Sequence, residues 1–67
     1  MAIMKVIEVL ANSEKSWEDA TQNAVNEASK SLKGIRSVYV NEMSAVVKKN
    51  KVVEYRINAK ITFEVRS

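Results

Sequence analysis

The chain has 67 residues, a net charge of +3 at pH 7, and neither cysteine nor histidine. Disulfides and Cys/His zinc sites are therefore excluded, and so are a cysteine nucleophile and a histidine base. One domain this short buries only about 60% of its unfolded surface, so oligomerisation is the expected source of further stability.

The charge is mild and mixed, which does not indicate a nucleic-acid partner. No apolar run reaches the ~20 residues of a membrane span, and none resembles a signal peptide. We expect a cytoplasmic protein.

The first half of the chain reads as a strand followed by a helix. Ile3–Leu10 is rich in β-branched and apolar residues, and a turn follows over Ala11–Ser16. Ser16 is a good N-cap for an amphipathic helix over Trp17–Lys33. Its buried stripe is mostly alanine, with Trp17 as an apolar anchor at its start, and Gly34 is the expected residue just after its end.

The second half reads as a hairpin. Ile35–Val47 is a strand, and the sequence KKNK over 48–51 is a polar turn. Apolar residues then occupy every second position of Val52–Arg66, from Val53 to Val65, without a Gly or Pro. This alternation predicts one strand that is apolar on one face and polar on the other. Its 15 residues span roughly 50 Å.

These elements predict an α+β fold of order β-α-β-β, a three-stranded antiparallel sheet wrapped around one helix. The helix, at 1.5 Å per residue, is about half as long as the last strand. It cannot cover the whole apolar face, and apolar patches of that size are rarely exposed in monomers. The lengths therefore predict a homo-oligomer.

Two groups of residues are candidates for binding. Glu14, Glu18 and Asp19 cluster near the helix start, and oxygen ligands of this kind suit Ca²⁺. They also suit capping of the helix dipole. The polar positions of the two hairpin strands form the second group, provided that they share one side of the sheet: Ser37, Tyr39, Asn41, Met43, Arg56, Asn58 and Lys60.

The order of elements, the length, the segment NSEKSWEDA before the alanine-rich helix and the final VVEYRINAKITFEV resemble the dodecins over essentially the whole chain, 1–67, as a single domain. The resemblance implies a small, non-enzymatic flavin-binding protein that stores flavin (riboflavin or FMN) in a hollow homododecamer built from trimers. In that family a tryptophan on the second strand covers the flavin ring, and a glutamine after the tyrosine of the last strand bonds its polar edge.

Those two positions fall on Ser37 and Arg56 in this chain. The resemblance thus implies a cofactor site lined by Ser37, Tyr39 and Arg56 in which the stacking tryptophan is missing.

Three functions follow as alternatives. The first is a flavin-binding or other small-ligand storage protein. The second is a flavin-less member that binds calcium or other ions through carboxylates at subunit interfaces, with Glu14, Glu18 and Asp19 as ligands. The third is a structural or interaction module without a ligand.

Overall fold

The predicted order β-α-β-β is confirmed in the computed structural model, which describes residues 3–65. The elements are β1 (Ile3–Ser13), α1 (Trp17–Ala28), β2 (Ile35–Lys48) and β3 (Lys51–Val65). They form one antiparallel sheet in the order β1-β3-β2, so that the last strand in the sequence lies in the centre. The last residue of the predicted final strand, Arg66, lies outside the described residues.

The alternation in β3 separates two faces of the sheet. Ile57, Ala59 and Ile61 are buried on the face that carries the helix. The buried residues of α1 are Ala20 and Ala24, whose side chains are single methyl groups. Ala20 packs with Ile57 and Ala59 in the core. The helix axis can therefore approach the sheet closely. We call the opposite side of the sheet the open face.

The first strand and the helix end at places that differ from the prediction. β1 continues to Ser13, because Ala11, Asn12 and Ser13 pair with β3 where the sequence predicted a turn. The helix ends at Ala28, five residues before the predicted end at Lys33. Beyond it, the backbone N–H groups of Ser31 and Leu32 both donate to the carbonyl of Ala28, at 3.1 and 2.9 Å, which tightens the chain into a turn.

Gly34 therefore does not end the helix as predicted. It begins the return to the sheet with a positive φ of 77°. The backbone N–H of Glu64 donates to the carbonyl of Gly34 at 2.9 Å, which fixes this turn against β3. The left-handed conformation that favoured glycine at a helix end is required here for strand entry instead.

The helix start follows the prediction. Ser16 is the N-cap, and its Oγ accepts from the backbone N–H of Asp19 at 2.9 Å. Trp17 anchors the helix to the sheet: its ring meets Tyr55 edge-on, with centroids 4.9 Å apart, and its Nε1 donates to the carbonyl of Ser44 at 2.9 Å. One side chain thus joins α1 to both β2 and β3.

The helix covers the middle of the sheet only. The described chain extends over 52 Å, whereas α1 has 12 residues and measures about 18 Å. The radius of gyration is 13.7 Å, against about 11 Å for a compact chain of this length. The helix lies over the centre of β3 and leaves both ends open, since Val53 and Val65 are 40% and 37% exposed. No helix among residues 3–65 is long and apolar enough to cross a membrane.

Candidate ligand-binding site

All three predicted cofactor-binding residues lie on the open face. Ser37 pairs with Thr62, Tyr39 with Lys60, and Ser44 with Arg56. Ser37 and Tyr39 therefore lie near each other, but Arg56 is four positions along β3 from the partner of Tyr39, which corresponds to roughly 13 Å. One copy of the chain does not bring Arg56 into contact with the other two.

A bulge in β2 changes part of the predicted surface. The register shifts between Val40 and Glu42, so that Asn41 is the extra residue and Met43 pairs with Ile57. Met43 therefore belongs to the helix face, and its predicted membership of the Tyr39 face is wrong. The physical reason is that one unpaired residue inverts the alternation of every residue after it. The same shift brings Glu42 and Ser44 to the open face.

A concave pocket with a volume of about 480 Å³ lies on the open face where β1, β3 and β2 run side by side. We call it the open-face pocket. Its polar lining comes from all three strands, and Leu10, 80% exposed, contributes apolar surface. The lining residues are Leu10, Ala11, Asn12, Glu42, Ser44, Arg56, Ile57 and Asn58.

The guanidinium group of Arg56 is held by a short network. Its Nε donates to Oε1 of Glu54 at 3.0 Å, and Nδ2 of Asn12 donates to the same oxygen at 3.1 Å. The hydrogen bond from Arg56, followed by that from Asn12, lowers the pKa of Glu54 below its ordinary value. Arg56 is thereby positioned by its neighbours, while its two terminal amino groups make no hydrogen bond within residues 3–65.

This network predicts a specific pH response. Because the pKa of Glu54 is lowered in the folded state, Glu54 stabilises the fold above the unfolded pKa of about 4.5, and that contribution disappears as the pH falls through the folded value. Replacement by glutamine (Glu54→Gln) should remove part of the loss of stability in acid. Urea midpoints measured from pH 7 down to pH 3 test this, with Glu8→Gln as the control on the same face. Identical pH profiles for Glu54→Gln and the unmodified chain would contradict it.

Among the polar residues that line the pocket, the sequence predicted only Arg56 to bind a cofactor. It missed Asn12, Glu42 and Ser44 as lining residues, and it grouped Asn58 only with the polar face. Strand alternation on β1 would have placed Asn12 on the open face, but the positions of Glu42 and Ser44 depend on the bulge.

The predicted metal ligands remain spread around the helix start. Asp19 is partly buried, and its Oδ2 accepts from Oγ of Ser13 at 2.6 Å and from Nδ2 of Asn23 at 3.5 Å. Glu14 and Glu18 are exposed. Within residues 3–65 of one chain, no three acidic residues are grouped closely enough to hold a metal ion. Asp19 thus serves the fold with one oxygen and leaves Oδ1 without a partner in the described part of the chain.

Comparison with known proteins places this geometry in a family. The family model described as Dodecin matches residues 3–66. The chain belongs to the dodecin family. The dodecin fold is confirmed by a crystal structure of an arginine-to-alanine mutant of Thermus thermophilus dodecin, which is 25% identical, covers 100% of both chains and has a TM-score of 0.94. Dodecins are small binding and storage proteins, and their known structures indicate that the family forms oligomers with small ligands.

Two of the matches carry calcium in their names. The calcium dodecin of Mycobacterium tuberculosis is 35% identical over 66 residues, which cover 98% of this chain and 93% of that protein. A crystal structure of the calcium-chelating antigen calcium dodecin from the same organism, described as having a novel calcium-binding site, is 34% identical with a TM-score of 0.82 and covers 96% of this chain and 91% of that one. Both are similar to this chain over nearly its whole length.

Proposed function

We propose that this chain is a non-enzymatic, cytoplasmic dodecin that binds calcium. The observation that carries the proposal is its 35% identity to a calcium dodecin across 98% of the chain. The residue at the family's stacking position supports it, because Ser37 has no aromatic face and the open-face pocket contains no aromatic side chain.

Glu14, Glu18 and Asp19 are the proposed calcium ligands. Calcium takes six to eight oxygen ligands. Three carboxylates hold six oxygens, and Oδ2 of Asp19 is already bonded within the fold, so one chain does not meet that number. Copies that converge around a symmetry axis supply the rest. Oδ1 of Asp19 is oriented by the bonds that hold Oδ2, so this carboxylate is pre-positioned for an ion.

The assembly proposed is a hollow homododecamer built from trimers. Its support in this chain is the uncovered apolar surface at both ends of the sheet, including Ile3, Val47, Val53 and Val65. Surface of this kind is typically covered by another subunit. The mass in solution, measured by analytical ultracentrifugation, tests the assembly directly, and a monomer at micromolar concentration would exclude it.

The calcium proposal predicts binding heat and a raised melting temperature when CaCl₂ is added to chelator-treated protein. At 100 times the dissociation constant the ion stabilises the fold by about 2.7 kcal/mol. The variant Glu14→Gln/Glu18→Gln should lose most of the heat because it removes two charged ligands, whereas Glu8→Gln on β1 should retain it. Absence of heat with an unchanged melting temperature in the parent protein would refute calcium binding.

Flavin storage is the second candidate. It is supported by the location of Ser37, Tyr39 and Arg56 on the same, open face of the sheet. A second copy of the chain would have to bring Arg56 towards the other two residues. Quenching of riboflavin or FMN fluorescence at micromolar protein measures this binding. If neither calcium nor flavin binds, the ligand-free assembly module remains of the three alternatives drawn from the sequence.

A further inference from the structure

Two opposite charges line the open-face pocket without pairing with each other. Glu42 pairs across the strands with Asn58, and Arg56 pairs with Ser44, so the two charged residues are diagonal neighbours. Side chains in that relation start about 7–8 Å apart. The side chain of Glu42 makes no ion pair or hydrogen bond within residues 3–65, and the one ion pair of Arg56 there is with Glu54. The pocket therefore presents a cation and an anion with a gap between them.

An unsatisfied acceptor lies in the same pocket. Oδ1 of Asn58 is buried and has no hydrogen-bond partner within the described residues. Buried polar atoms normally have a partner, because an unpaired one loses its hydration without compensation. Asn58 lies directly across from Glu42, so a carboxylate and a free amide oxygen are adjacent. A donor that carries several N–H groups would satisfy both.

The other side of the gap offers donors. Nε of Arg56 is occupied by Glu54, which leaves the two terminal amino groups of the guanidinium as its available donors. A guanidinium edge matches the two oxygens of a carboxylate. Glu54, which also accepts from Asn12, bonds Nε of Arg56, and this bond reduces the side-chain freedom that is lost when a ligand binds.

We propose that the open-face pocket binds a small zwitterion of the α-amino-acid class. The ligand carboxylate meets the terminal amino groups of Arg56, and its ammonium group meets Glu42 and Oδ1 of Asn58. The aliphatic side chain of Leu10, at the edge of the pocket, offers contact for an apolar ligand side chain. This inference goes beyond the proposed function and requires neither calcium nor flavin.

The test compares three related probes by calorimetry in buffer that contains a calcium chelator. L-Leucine carries both charges, L-leucinamide lacks the carboxylate, and N-acetyl-L-leucine lacks the ammonium group. L-Leucine should bind, and each derivative should bind about tenfold more weakly or worse, since each loses one charged hydrogen-bonded contact. The chelator keeps this outcome separate from the calcium proposal, which can fail or succeed independently.

Two variants assign the contacts. Arg56→Gln should abolish the preference for leucine over leucinamide, and Glu42→Gln should abolish the preference for leucine over N-acetyl-leucine. Glu8→Gln and Lys60→Gln are matched controls, because this pair lies on the same face outside the pocket lining, and both should bind leucine like the parent. Circular dichroism verifies that each variant folds.

Equal binding of the three probes would overturn the proposal. So would the absence of leucine binding at millimolar protein with up to about 50-fold more leucine, because even a dissociation constant in the millimolar range is detectable under those conditions. So would binding of inorganic phosphate as tight as that of leucine, because the pocket would then be a simple anion site. These comparisons use the unmodified chain, so they decide the matter even if a variant fails to fold.

Discussion

Replacement of Ile61 by alanine is expected to destabilise the fold by about 2–5 kcal/mol. Ile61 is completely buried and is the largest fully buried side chain among residues 3–65. It lies in the central strand, where it pairs with Ile7 on one side and Val38 on the other. Alanine leaves a cavity that three paired strands cannot close. A loss of this size is a large part of the 5–15 kcal/mol that holds a typical domain together.

The measurement is urea denaturation at one fixed protein concentration, because the stability of an oligomer depends on concentration. Ile61→Val removes less volume and should cost only about 0.5–1.5 kcal/mol. A graded series from isoleucine through valine to alanine identifies packing as the cause. If Ile61→Ala unfolds at the same urea concentration as the parent, the centre of β3 is not the core that its burial indicates.

Replacement of Gly34 by alanine should cost about 1–3 kcal/mol. Two effects add here. The backbone of Gly34 has φ of 77°, which L-residues with a Cβ rarely adopt. A Cβ at this position would also lie 3.2 Å from the backbone carbonyl oxygen of Glu64, and backbone in the central strand cannot move away easily.

Gly34→Asn separates the two effects, and thermal unfolding measures both variants. Asparagine tolerates the left-handed region better than alanine does, but its Cβ meets the same oxygen. A smaller loss for asparagine than for alanine assigns the cost to the backbone angle, whereas equal losses assign it to the close approach. Full stability of Gly34→Ala would show that this turn relaxes freely and does not fix the entry into β2.

The long last strand was predictable because its signal is local and repeated. Apolar side chains at every second position from Val53 to Val65 allow only one periodicity, and the structure confirms the strand over Lys51–Val65. The hairpin turn was predictable because the polar sequence KKNK separates two strands. In the structure Lys49 and Asn50 form the turn, with positive φ values of 51° and 64°, between the paired residues Lys48 and Lys51.

The helix end was not predictable from the same kind of pattern. Leu32 continues the apolar spacing of the helix, and Gly34 follows at the expected distance, yet the helix stops at Ala28. The deciding interaction is remote, since Gly34 bonds to Glu64 thirty positions later. Tertiary pairing required an extended approach to β2 and overrode the local preference.

The open-face pocket was hidden for a related reason. Its residues come from three strands, and only the register brings Asn12, Arg56 and Ser44 side by side. The bulge at Asn41 then decides which face Glu42 occupies. No local signal in the sequence marks that bulge, because valine, asparagine and glutamate at 40–42 read equally well as a regular strand.

The central position of β3 also dictates when the chain can fold. Each of the two strand pairings in the described sheet includes β3, the last element, and Ile3 pairs with Val65, 62 positions away. A ribosome adds about 5–20 residues per second, so the first strand waits several seconds for its partner. Contacts this distant in sequence also form slowly. During that interval the apolar edge of β1 is open to other nascent chains, and we expect the newly made protein to depend on chaperones.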